Sequence, residues 1–173
     1  MTQQADHFAD LMARIDPPLI IVTTAAQGFR AGCVVGFHSQ CSISPARYAL
    51  WISKANFTYR VALLAEHFVM HRLDTRHHDL ARLFGGTTAD EIDKFVDVAH
   101  HPGPSDVPIL IDCQDRLVLE RVGMWDDGGD HVCFVGQPIA VDFGSAPVDA
   151  LRVSDATDFS AGHDPADTVP RPG

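Results

Sequence analysis

The apolar positions of this chain change period several times, and each change marks an element. Phe8, Leu11, Met12 and Ile15 recur at i, i+3, i+4 and i+7, which predicts a short helix over residues 4–15. Asp16-Pro17-Pro18 stops it. The β-branched run Leu19 to Thr24 reads as a strand, and Gln27-Gly28 as a turn. Arg30 to Phe37 and Arg47 to Ser53 read as two more strands, joined by a Ser-rich connection that ends at Pro45. Asn56 opens a short helix to Ala65 as its N-cap. His67 to Leu73 is a strand, and His77 to Phe84 a helix closed by Gly85-Gly86. Thr88-Ala89-Asp90-Glu91 has capping-box form and is expected to start a helix through Val98. A Pro/Gly loop covers His100 to Pro108. Strands follow at Ile109–Ile111, Arg116–Trp125 and His131–Val141, the last two joined as a hairpin by Asp126-Asp127-Gly128-Gly129. From Gly144 onward Pro, Asp, Ser and Gly dominate, and residues 144–173 read as an acidic tail behind a domain of residues 1–143.

This order is mainly β and does not alternate strand with helix, so a doubly wound sheet is not expected; a small barrel with inserted helices suits it better. Its 173 residues fit one domain, and 46% hydrophobic with 21% charged residues is ordinary for a globular protein. Thirteen basic against twenty-three acidic residues give a net charge of −10, which argues against a nucleic-acid binder. The N-terminus lacks a basic, then apolar, leader, and no stretch approaches the roughly 20 apolar residues of a membrane helix, so a cytoplasmic location is expected. Cys33, Cys41, Cys113 and Cys133 have no CxxC spacing and read as reduced thiols.

GxGxxG, the P-loop, HExxH and GxSxG are all absent. Ten histidines include the neighbours His77-His78 and His100-His101, but adjacent side chains point in different directions, so no metal site is expected from them. The chemically informative stretch is Ala31 to Thr58. Ser42 offers a hydroxyl in a turn, Lys54 a positive charge, and Asn56 and Thr58 the start of a helix. A few charge-assisted hydrogen bonds at about 1.5–3 kcal/mol each would hold a monophosphate, and the expectation is that Ser42 and Lys54 converge on one. An ordinary polar turn followed by a helix cap accounts for the same spacing.

This stretch resembles the flavin reductase-like, FMN-binding split-barrel family, whose members carry Gly-x-Thr-x-Ser-Ser-Phe-x-Ser-x-Ser-x-x-Pro-Pro, an apolar strand, then Lys/Arg-x-Ser-x-Thr. Gly32, Ser42, Pro45, Lys54 and Thr58 fall on family positions without a gap. His67 to Leu73 resembles the family's Phe-Val-Val-Asn-x-Leu strand, His77 to Gly85 its Gln-x-x-Leu-Ala-x-x-Phe helix, Asp93-Lys94-Phe95 its Asp-Lys-Phe, and Gly129-Asp130-His131 with Phe134-Val135-Gly136 its hairpin. The likeness spans about residues 17–143.

The resemblance implies a Greek-key split β-barrel, a homodimer, and a flavin near the dimer interface. By position, Val34, Val35, Gly36 and Phe37 would line the isoalloxazine ring, with Cys41 and Ser42 near the ribityl chain and phosphate. Lys54 and Thr58 would hold the phosphate, joined by Asn56. His71 stands at the family's Asn position, and His131 would face the flavin or nicotinamide as the catalytic residue. Gly36-Phe37 replaces a Ser-Ser pair, Val34 a Thr, and Ala46 the second Pro, so several polar contacts to the ring are missing while the phosphate side is better kept. The activity implied is NAD(P)H-dependent reduction of FMN, or FAD, by NADH or NADPH, with reduced flavin passed to a separate monooxygenase. The alternatives are a non-enzymatic flavin carrier or electron-transfer module, and a haem-handling relative of the same barrel.

Overall fold

The computed structural model of the protein describes residues 3–86, 93–145 and 148–158. Helix α1 (Gln3–Ile15) leads into strands β1 (Ile20–Ala26), β2 (Phe29–Val35), β3 (His38–Ser42) and β4 (Arg47–Ser53). Helix α2 (Phe57–Ala62), strand β5 (His67–Arg72) and helix α3 (His78–Gly86) follow. The short strands β6 (His100–Pro102) and β7 (Pro108–Leu110) precede the long hairpin of β8 (Arg116–Trp125) and β9 (His131–Asp142). Seven strands form one antiparallel sheet in the order β2-β1-β5-β8-β9-β4-β3, and β6 and β7 pair separately.

The sheet curls into a half-barrel because alternate residues of its strands need one apolar interior. Ile20 and Val22 of β1 meet Cys33, Leu50, Ile52, Phe68, Leu119 and Phe134 inside, and Ala62 of α2 packs into the same cluster. The other face of β1 is also covered: Leu19 and Ile21 meet Ala81 and Phe84 of α3, Leu110 and Leu151. Burial on both faces is why β1 shows no apolar–polar alternation; Thr23 and Thr24 within it are buried too, their hydroxyls donating to Pro108 O and His67 O. The β1–β2 connection is a two-residue turn in which Gln27 has φ 51° and Gly28 φ 81°; positive φ at both central positions is what a tight hairpin turn demands. Gly32 serves a different need, since a Cβ there would sit 2.7 Å from Phe84 Cε1 and push α3 off the sheet.

Four expectations need correction. The Ser-rich connection before Pro45 contains strand β3; as an edge strand with most residues exposed it carries no apolar alternation to announce it. Residues 93–98 form turns, not helix, because the Asp93 carboxylate caps Phe95 N at 3.0 Å. Next to it, the buried Lys94 ammonium reaches back to Phe84 O at 2.9 Å and Gly32 O at 3.2 Å. The capping box at 88–91 lies outside the described residues. The loop from His100 to Pro108 is in large part the β6–β7 ribbon, with His100 opposite Leu110.

The boundary at residue 143 also moves. Residues 148–158 return as a strap along the body: Leu151 is buried, its C=O accepts from Leu19 N at 2.7 Å, and its N–H donates to Leu73 O at 3.1 Å. Arg152 donates to Asp16 O, Ser154 to the Asp16 carboxylate, and Asp158 pairs with His78 and Arg82. One leucine driven by apolar burial outweighs the loop-like composition around it. Residues 159–173 of the expected tail lie outside the described residues.

Candidate active site

Beyond Val35 the chain leaves β1 at Gly36, and Phe37 O is taken by Trp51 N of β4 at 2.9 Å. This splayed end of the half-barrel leaves an open cleft of about 420 Å³. Val34 to Phe37 form one wall. Trp51, Ile52 and Ser53 at the end of β4 form another, with Asn56 at the cap of α2. Phe84 and Gly85 of α3 and Val153 and Ala156 of the strap close one side, and Asp130 and His131 stand at the mouth. The walls are mostly apolar, with few polar groups, as in small-molecule sites generally.

β2 is an edge strand, so every second residue turns its backbone N–H and C=O away from β1. The Lys94 ammonium on Gly32 O identifies that outward set, and alternation assigns Val34 to it as well. Backbone groups thus stand along the cleft where hydroxyl side chains are lacking.

At the mouth, His131 Nδ1 lies 2.8 Å from Asp130 Oδ1, and its ring tilts onto Phe37 with centroids 5.1 Å apart. That hydrogen bond holds the Asp130 carboxyl below its ordinary pKa, so Asp130 is a carboxylate at neutral pH. Cys33, at the floor, is pushed up to about 11 by burial, with the Thr58 hydroxyl pulling the other way; it stays a neutral thiol.

The structure brings Val34, Val35, Gly36, Phe37, Asn56 and His131 together around one cleft. It does not bring the others in. Ser42 pairs with Arg47 at one end of β4, and Lys54 follows the other end, so seven residues of extended chain, roughly 23 Å, separate them. Ser42 and Cys41 therefore cannot share an anion with Lys54 in one subunit. His71 is fully buried in β5: its Nε2 accepts from Leu110 N at 3.0 Å and its Nδ1 faces Ile21 O at 3.3 Å, a tie between strands rather than a ligand contact. Thr58 lies on the buried face of α2, where its Oγ1 has no hydrogen-bond partner of normal geometry and the Cys33 thiol beside it. Lys54 Nζ is bound to Asp126 Oδ1 at 2.8 Å.

Sequence reasoning missed Trp51, Ile52 and Ser53 at the end of β4, and Val153 and Ala156, which it had assigned to a tail. Their place at the end of β4, next to the Asn56 cap, was a usable signal for the first group. For the second there was only the isolated apolar pair Leu151 and Val153.

A profile of the flavin reductase like domain matches residues 12–155. The chain belongs to the flavin reductase-like family. Among curated members it is similar to FMN reductase (NADH) RutF 2 of Rhizobium rhizogenes, 26% identical over 139 residues, which are 80% of this chain and 79% of that protein. Among solved structures it is similar to an FMN-binding protein from Thermus thermophilus with bound p-hydroxybenzaldehyde, at TM-score 0.70 and 25% identity over 76% of this chain and 74% of that one. It shares its fold with the flavin reductase HpaC complexed with NADP+, at TM-score 0.72 and 20% identity over 87% and 98% of the two chains.

A family flavin has two parts, and the cleft treats them differently. The ring fits: the slot is apolar, aromatic at Trp51 and Phe37, and edged by backbone groups that face away from β1. The phosphate finds no ready anchor, because no Lys or Arg is among the described residues that line the cleft and Lys54 beside it is already paired.

Proposed function

We propose that the protein is an NAD(P)H-dependent flavin reductase whose flavin ring lies in the cleft between Val34–Phe37 and His131. The observation that carries this reading is the convergence of those five residues, from two distant parts of the chain, on one apolar slot. A bound flavin supplies acceptance of a hydride from the nicotinamide. The protein's own part is orientation. The Val34 amide addresses a polar edge of the ring, Trp51 and Phe37 keep water from its faces, and Asn56 offers a polar group at the inner end. His131, fixed by Asp130 and Phe37, stands where a nicotinamide enters and positions it. Near-attack contact of about 3–3.5 Å makes positioning rather than acid–base chemistry the main demand.

The assembly belongs to the same reading. The sheet order suits a Greek-key split barrel that continues to Asp158, and a second copy of the chain completes the site. Exposed Met124, Trp125, Ile139, Val141 and Phe143, spread along the β8–β9 hairpin and just beyond, support a homodimer, since large apolar side chains left exposed along one hairpin need a cover. Reduced flavin leaves for a separate monooxygenase. Among the described residues no helix is long and apolar enough to cross a membrane. The test is NADH and NADPH consumption by the purified protein with added FMN, run beside light scattering for subunit number. Consumption no faster than in the protein-free control would end the proposal.

A further inference from the structure

The motif that should hold a phosphate is used up internally. Of its three groups, Lys54 Nζ donates to Asp126 Oδ1 at 2.8 Å, and only 14% of the lysine side chain is exposed. Asn56 Oδ1 accepts from Thr58 N at 3.0 Å as the helix cap, and the Thr58 hydroxyl is buried beside Cys33. Lys54 is also tethered through its backbone, which donates to Asp130 O at 2.8 Å. Asp126 is itself held by the hairpin loop, with Gly128 N donating to the same Oδ1 at 2.8 Å. The loop carries Asp126, Asp127 and Asp130, of which Asp130 lines the cleft. A phosphate dianion approaching Lys54 would have to displace Asp126 and then stand next to a freed carboxylate. A flavin without phosphate faces no such repulsion.

We infer that Asp126 is a specificity-determining residue: by occupying the Lys54 ammonium it withdraws the phosphate anchor, and the cleft takes flavin by its ring, binding riboflavin at least as well as FMN. This rests on the flavin-reductase reading above. Asp126→Asn keeps an oxygen for Gly128 N and removes the charge that claims Lys54. Freed, Lys54 offers one charge-assisted hydrogen bond to the FMN phosphate, worth about a tenfold gain in affinity or more.

The experiment is titration by quenching of flavin fluorescence, with riboflavin and FMN, on the full chain and on Asp126→Asn. Asp126→Ser, whose hydroxyl also accepts from Gly128 N, serves as a second variant in case the first does not fold. The wild type should bind riboflavin at least as tightly as FMN. Each variant should tighten FMN by about tenfold, leave riboflavin within about twofold, and lose the gain at about 1 M salt, where charges are screened. Wild-type binding of FMN more than about twofold tighter than riboflavin overturns the inference, as does an unchanged FMN affinity in both variants. Failure of both flavins to quench with any of the proteins would instead remove the flavin reading itself.

Discussion

His71 gives the fold a pH limit that can be worked from the structure. Complete burial lowers its pKa from 6.5 to about 3; the hydrogen bond to Ile21 O opposes this shift and the positive charge of Arg116 adds to it. The unfolded chain takes up a proton near pH 6.5, and the folded protein refuses it until about pH 3. Stability is thus complete above about pH 6.5 and falls as pH drops through that window. At about 1.36 kcal/mol per unit, some 2.7 kcal/mol disappears between about pH 6.5 and 4.5. The carboxyl groups with lowered pKa values start from 3.8 and contribute only below this range. His38, half-buried and shifted in the same direction, adds a further share. His71→Leu removes the titrating group but leaves the buried Leu110 N–H unpaired, at a cost of about 1–3 kcal/mol at neutral pH. Urea unfolding at about pH 7.5 and 4.5 reads both terms. The variant should start less stable and lose far less on acidification, so the two proteins converge near pH 4.5. An acid slope in the variant as steep as the wild type's would refute the assignment.

Other consequences follow from single contacts. Gly36→Ser places a Cβ 3.6 Å from Leu19 Cδ2 and Val153 Cγ2, ordinary contact distances. It should leave stability within about 0.5 kcal/mol and tighten riboflavin by about three- to tenfold through one new hydrogen bond, read by fluorescence quenching. Gly32→Ala drives a methyl into Phe84 and should cost about 1–3 kcal/mol in urea unfolding while weakening flavin binding, because Phe84 also lines the cleft. Leu151→Ala should cost about 2–5 kcal/mol and release the strap, seen as faster hydrogen exchange at residues 148–158. His131→Ala should raise the KM for NADH by about tenfold with kcat changed by less than about threefold, the pattern of lost positioning; a collapse of kcat at unchanged KM would give His131 a different role.

Much of this architecture was legible because burial and periodicity agree. β1 is a buried, β-branched run since α3 and the barrel interior cover its two faces, and the hairpin loop 126–130 follows from its Asp and Gly run. β3 was not legible, because an exposed edge strand has no face to bury. The strap failed for a related reason: one Leu carries its docking, and its neighbours look like tail. Of the residues that line the cleft, the run Val34–Phe37, Asn56 and His131 were singled out from the sequence. The expected meeting of Ser42 and Lys54 does not occur within one subunit, for a reason the chain itself contained. A seven-residue strand between them holds its ends far apart, and only a sharp fold of that strand would bring them together. His71 sits in a strand whose two neighbours bury it, so its side chain serves the core.

The most direct test of the account is a crystal structure of the protein soaked with riboflavin. The account predicts ring density in the slot bounded by Val34, Phe37, Trp51 and His131. Ring density at another place on the surface, with that slot filled only by water at saturating riboflavin, would contradict it.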